Sequence, residues 1–129
     1  MHKHRHQVYA TLQGKFLNKQ LLEQLPEVSG VGRYKNADSP GIIYPERAQF
    51  HLLEPANDYS DVANYISRLE KHYPILRASG VHEIILRWTI LSNSPGHEMN
   101  TELSPEDVAR LAGINASVAI TFYASAHYL

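Results

Sequence analysis

The chain has no cysteine among its 129 residues, which excludes a disulfide framework, a thiolate nucleophile and a cysteine-based zinc site. It also lacks any apolar run near the roughly 20 residues that a membrane-spanning helix needs; the best candidate, residues 84–91, is interrupted by Arg87. No excess of either charge is present. A net charge of −1 argues against a protein that lives on a phosphate backbone, where a strong positive field is the rule. The first residues, Met-His-Lys-His-Arg-His, run into a strand-like pattern with no apolar stretch of the kind that directs secretion. The expected location is the cytoplasm, with no membrane and no nucleic acid as partner. At this length, a 43% hydrophobic composition suffices for one core and hardly for two.

The charges that are present are unevenly placed. Residues 1–35 carry six basic side chains (Lys3, Arg5, Lys15, Lys19, Arg33, Lys35) against Glu23 and Glu27, a balance of +4. Residues 36–129 carry a balance of −5, and Glu98, Glu102, Glu106 and Asp107 follow one another with no base between them. The molecule is therefore polarised despite its small net charge.

Residues 103–123 are the most ordered stretch. Ser104 stands as N-cap, Pro105 at the first helical position, Glu106 in the first turn and Asp107 at the third position, a variant of the capping box. Leu103 and Val108 occupy the positions of a hydrophobic staple, and Gly113 offers the left-handed stop. Beyond it Val118, Ile120, Phe122 and Ala124 alternate as one face of a strand. An earlier segment repeats the unit in weaker form: residues 17–25 overlay 103–111 at a constant offset of 86, with Leu17 on Leu103, Asn18 on Ser104, Leu22 on Val108 and Leu25 on Leu111. A strand pattern precedes each helix, with Val8, Ala10 and Leu12 in the first and Ile84, Leu86, Trp88 and Ile90 in the second. Another follows the first helix, with Ala48, Phe50 and Leu52 inward.

The chain thus reads as a single domain of two strand-helix-strand halves, about 6–54 and 81–125. A helix at about 58–77 joins them, carrying Val62, Tyr65, Ile66, Leu69, Tyr73 and Leu76 on one stripe, with Pro74 expected to end or kink it. The predicted architecture is α+β in the order β-α-β-α-β-α-β: a mainly antiparallel four-stranded sheet of ferredoxin-like kind with its helices on one face. Two long loops, 27–45 and 92–102, are natural places for binding.

The ending "ELSPEDVARLAGINASVAITFYA", preceded by "GVHEIILRW", resembles a family of small stand-alone bacterial proteins of uncharacterised function. They close with a capped Leu-Ser-Pro-Glu helix, a small-residue turn and a last strand. The likeness covers about residues 80–124 and is loose before them, where "LNKQLLEQL" fits the opening pattern. It implies a fold and no activity. Small bacterial proteins of this type often serve as immunity partners of secreted toxins, an analogy of type rather than of motif.

Chemistry-bearing motifs are few. His2, His4 and His6 alternate, so that an extended backbone would turn three imidazoles to one side, a weak candidate set for Zn²⁺ or Ni²⁺. His97-Glu98 lacks the His-Glu-x-x-His spacing because position 101 is Thr. Gly30 and Gly32 in "SGVGRYKNADSPG" follow a helix rather than a strand and lack the third glycine of a dinucleotide fingerprint, which leaves at most a basic loop for an anion. No Gly-x-Ser-x-Gly elbow exists. Neither a catalytic constellation nor a cofactor is expected.

By alternation, the sheet face opposite the core presents Tyr9, Thr11, Gln49, His51, Ile85, Arg87, Thr89, Thr121 and Tyr123, rich in the residue types that anchor interfaces. The expectation is a non-enzymatic bacterial binding protein, most concretely a cytosolic immunity-type inhibitor of a toxin domain. Its partner-binding residues are Tyr9, His51, Ile85, Arg87 and Tyr123, with Glu98, Glu102 and Glu106 as phosphate-mimicking acids. The alternative is a small-ligand or metal-binding domain that uses the 30–45 loop or the N-terminal histidines. For the metal reading, Zn²⁺ is titrated calorimetrically into the wild type and the H2A/H4A/H6A variant. Tight binding by the wild type alone supports the histidine set; equal or millimolar-weak binding by both removes it.

Overall fold

In a computed structural model the described residues are 4–33, 44–53, 59–92 and 102–124, with only the backbone described at 4–6, 59–61 and 124. The order of elements is β1 (His4–Gly14), α1 (Lys19–Leu22), β2 (Val28–Arg33), β3 (Glu46–Phe50), α2 (Tyr59–Ala78), β4 (Glu83–Ser92), α3 (Pro105–Gly113) and β5 (Ala116–Ala124). The protein is α+β. Its sheet has five strands in the order β2-β3-β1-β4-β5 rather than four. It is mixed: β1 pairs antiparallel with both β3 and β4, β2 pairs antiparallel with β3, and β4 pairs parallel with β5. The four-stranded ferredoxin-like expectation is corrected to five strands, while three of the four strand pairs are antiparallel as expected.

The extra strand is β2, which lies in the stretch expected to be loop. Ser29, Gly30 and Gly32 read as turn residues, yet they pair along β3 through a register shift between Ser29 and Gly32, with Gly30 at φ 66°. A bulge with a left-handed glycine accounts for both the weak strand signal and the irregular pairing. The parallel β4-β5 pair follows from α3: a helix between two neighbouring strands lets the second run in the direction of the first.

The core forms on one face. Ala10 and Leu12 of β1, Ala48 and Phe50 of β3, and Ile84, Leu86, Trp88 and Ile90 of β4 are buried against Val62, Tyr65, Ile66, Leu69 and Leu76 of α2. α2 runs through Pro74, which is exposed. A proline on the solvent side forfeits one backbone hydrogen bond without ending a helix whose other face is packed. α1 and α3 are N-capped as their sequences indicate, but the left-handed stop expected at Gly113 falls instead on Asn115 at φ 52°, with Gly113 still inside the helix and Ile114 at its cap. Asn18 Oδ1 accepts from Leu21 N at 3.1 Å and Ser104 Oγ from Asp107 N at 3.1 Å.

Of the two staple positions, Leu103 is half-buried against the core while Val108 is 52% exposed. α3 contributes Leu111 to the core and Ile114 follows it at the cap. Its position is set by Arg110, whose Nε donates to Glu70 Oε1 at 2.8 Å and whose Nη2 donates to Ser67 Oγ at 2.7 Å. The hydrogen bond to Glu70 is also the main cause that holds the guanidinium above its ordinary pKa, so Arg110 itself stays protonated throughout the accessible pH range. Ile120 and Phe122, expected in the core, are 50% and 46% exposed. A nine-residue helix with one buried leucine does not cover the far end of a nine-residue strand.

β1 and α2 meet closely at one end of the sheet. A Cβ on Gly14 would lie 2.1 Å from the Gly80 carbonyl oxygen, and one on Gly80 would lie 2.1 Å from the Phe16 carbonyl oxygen. Gly80 also holds φ 97°. Hydrogen bonds from Asn18 N to Ser79 O (2.8 Å) and from His82 N to Gln13 O (2.9 Å) fasten the same crossing. Gly80→Ala is expected to lower unfolding free energy by at least about 2 kcal/mol, because left-handed strain and a backbone clash add. Urea denaturation at constant m-value reads this; an unchanged midpoint would contradict the tight crossing.

Candidate functional site

The face of the sheet opposite the helices holds the side chains that the core alternation leaves over. Register places Tyr9 beside Arg87, Thr11 between Gln49 and Ile85, and Gln13 between Arg47 and Glu83. An open cavity of about 460 Å³ lies over the β2-β3-β1-β4 half of this face, lined by Tyr9, Thr11, Gly32, Arg33, Arg47 and Arg87 among others. Three guanidinium groups therefore border one depression, and among the described residues no acidic side chain lines it.

Neutral partners hold two of these arginines in place. Arg87 Nε donates to Thr11 Oγ1 at 2.9 Å, which explains how a threonine on the open face is only 6% exposed. Arg47 Nε donates to Gln13 Oε1 at 2.9 Å, and Gln13 Nε2 donates onward to Glu83 Oε2 at 3.3 Å. Glutamine thus stands between the cation and the nearest acid on the face. Arg33 lies over the Phe16 ring, 5.8 Å from its centroid. None of the three forms an ion pair with another described residue. Each guanidinium keeps N–H donors beyond the bond that orients it, in the planar fork that suits carboxylate and phosphate oxygens.

One wall of the site is aromatic. Tyr9 and His51 stack with centroids 5.5 Å apart at 21°, and the His51 Nε2 sits 3.1 Å from Gln49 Oε1. Of the residues expected to meet a partner, the structure brings Tyr9, His51 and Arg87 together and places Ile85, half-buried, in the next row beside Thr11. Tyr123 is on the same face but on β5, opposite Leu91. Glu102 and Glu106 stand just before and in the first turn of α3, on the helical side of the sheet, so they share no surface with Arg87. Glu98 and His2 lie outside the described residues. His4 and His6 belong to β1, paired with Ser92 and Ile90, with only their backbone described. Among the described residues no group of three potential metal ligands occurs, and no helix is long and apolar enough to cross a membrane.

Arg47 went unnamed in the sequence because its strand was read for its inward residues, although the same alternation puts it beside Gln49. A second ionic group was also hidden. Glu27, 3% exposed, receives Arg68 Nη2 at 3.0 Å and has His72 Nε2 at 2.9 Å, which ties the start of β2 to α2. No family model, curated protein or solved structure matches the chain.

These two kinds of arginine differ in what they stabilise. Arg47→Ala and Arg87→Ala are each expected to change unfolding free energy by less than about 1 kcal/mol, since each removes one partly exposed hydrogen bond. Arg68→Ala is expected to cost roughly 2–3 kcal/mol, below the range for a fully buried pair because Arg68 is partly exposed. Denaturant midpoints of the three variants check the contrast, and equal losses would contradict it.

Proposed function

We propose that this chain is a protein-binding domain and not an enzyme, and that it docks its partner on the open sheet face through Arg33, Arg47 and Arg87. The observation that carries the reading is the three arginines around one depression that no acid lines among the described residues, beside the Tyr9–His51 stack. Arginine and tyrosine are the residue types that most often dominate interface energies, and the depression is concave enough to seat a protruding side chain. Charge complementarity makes the docking surface of the partner acidic. In its most concrete form the domain is a cytosolic immunity-type inhibitor that occludes a toxin domain. Docking then rests on the arginines instead of Glu102 and Glu106, which are on the other side of the sheet.

A second reading has its own support. A cavity of about 490 Å³ is lined by Phe16, Tyr44, Pro45, Arg33, His82 and Glu83 among others, while residues 34–43 of the expected binding loop lie outside the described residues. Its size suits a small molecule. A ligand there raises the melting temperature with no protein present.

The deciding experiment compares wild type and the R33A/R47A/R87A variant as baits in lysate of the native host. One stoichiometric protein, retained by wild type, weakened by added salt and lost by the folded variant, is the expected result. Equal retention by both baits would refute the arginine face; an empty lane with both shifts the weight to the small-ligand cavity.

A further inference from the structure

The two edges of the sheet are built differently. β2, at one edge, has six residues, a register shift, two glycines and a terminal Arg33. Those are the devices that keep an edge strand from pairing with another chain. β5, at the other edge, has nine residues and none of these protections. Its sequence, ASVAITFYA, contains no proline, glycine or charge, and it follows β4 in unbroken register from Ala116 to Ala124. In a parallel pair, alternate residues turn both backbone groups to the same neighbour, so roughly half of β5 directs N–H and C=O outward.

The side chains along that edge are apolar and wet. Ile120 is 50% exposed, Phe122 46% and Tyr123 46%, in contrast to Trp88 and Ile90, their buried neighbours on β4.

We infer that β5 pairs antiparallel with β5 of a second copy across a two-fold axis, joining two sheets into one of ten strands. A second copy fits this edge better than an unlike partner because of charge. Residues 111–129 contain no Asp, Glu, Lys or Arg, so two such edges meet without like-charge repulsion and without burying an unpaired ion. A two-fold contact also needs a self-complementary strand. With Thr121 opposite Thr121 of the second copy, Phe122 faces its Ile120 on the helical side, an apolar pair on each half of the interface. Three half-exposed large side chains offer roughly 100 Å² each, or about 600 Å² from the two copies before the backbone edges are added. The side chains alone thus supply about half of the lower bound of about 1,200 Å² for stable interfaces, with the paired backbone edges adding to it, which fits a weak, concentration-dependent dimer.

The absence of cysteine makes the test direct. Thr121→Cys creates the sole thiol, and opposed residues in an antiparallel pair have Cα atoms roughly 4.5–5.5 Å apart, within disulfide reach. Mild oxidation is expected to yield a covalent dimer from Thr121→Cys and none from Ser29→Cys at the opposite edge. Sedimentation across the micromolar range is expected to show a wild-type monomer–dimer equilibrium shifted at least tenfold toward monomer by Ile120→Lys and Phe122→Lys. Circular dichroism verifies that these half-exposed positions tolerate lysine. Two results would overturn the inference: a monomer at all concentrations, or a dimer indifferent to both lysines that leaves Thr121→Cys uncrosslinked.

Discussion

Burial of Ile84, Leu86 and Trp88 under α2 forces Ile85, Arg87 and Thr89 to the opposite face, because neighbouring residues in a strand point to opposite sides. With most of the apolar residues of β1, β3 and β4 committed to one layer of helices, the other face depends mainly on polar and aromatic side chains, Ile85 and Leu91 being its aliphatic members. It is held by lateral contacts in place of a second core. Arg87 covers Thr11, Arg47 leans on Gln13, and Tyr9 stacks on His51. The candidate site is therefore a consequence of the one-sided core, and a change that let β1 or β4 slip by one residue would invert both together.

Charge is sorted by the same geometry. The ionic contacts Glu27–Arg68 and Glu70–Arg110 belong to the helical side, where they fix α2 to its neighbours. Arg33, Arg47 and Arg87 border the open cavity with no acid among its described lining residues. A net charge near zero conceals this arrangement, since it sums the cationic cavity lining with acids elsewhere in the chain. The cationic side is small, three guanidiniums within one cavity, which favours recognition of an isolated acidic group over that of an extended polyanion.

What could be read from the sequence was whatever one short period expresses. The alternation in β4 and the cap at Ser104 emerge as written, as do the stripe on α2 and the identity of the open-face row Tyr9, His51 and Arg87. β2 was missed because its bulge needs the glycines that otherwise signal a turn. Ile120 and Phe122 alternate correctly yet are not buried, because alternation tells which face a residue takes and not whether a helix reaches over it. The Glu27 cluster joins residues 41 and 45 positions apart, and Arg33, Arg47 and Arg87 line one cavity from 14 to 54 positions apart, separations that no local pattern records.

The two proposed surfaces are geometrically linked. A two-fold axis normal to the sheet keeps both open faces on the same side, so the arginine cavities of the two copies look in one direction. From β1 of one copy to β1 of the other there are five strand spacings, a separation of roughly 24 Å. A partner that presents two acidic groups at that spacing would engage both cavities, and its second contact would form at a high effective concentration. A single cavity open to solvent on a small domain offers limited affinity, since few side chains contribute and most stay hydrated. Pairing along β5 would multiply that affinity without any new contact to the partner. An unprotected, uncharged edge would then be retained on this side of the sheet despite the aggregation hazard that the bulge and glycines of β2 remove from the other.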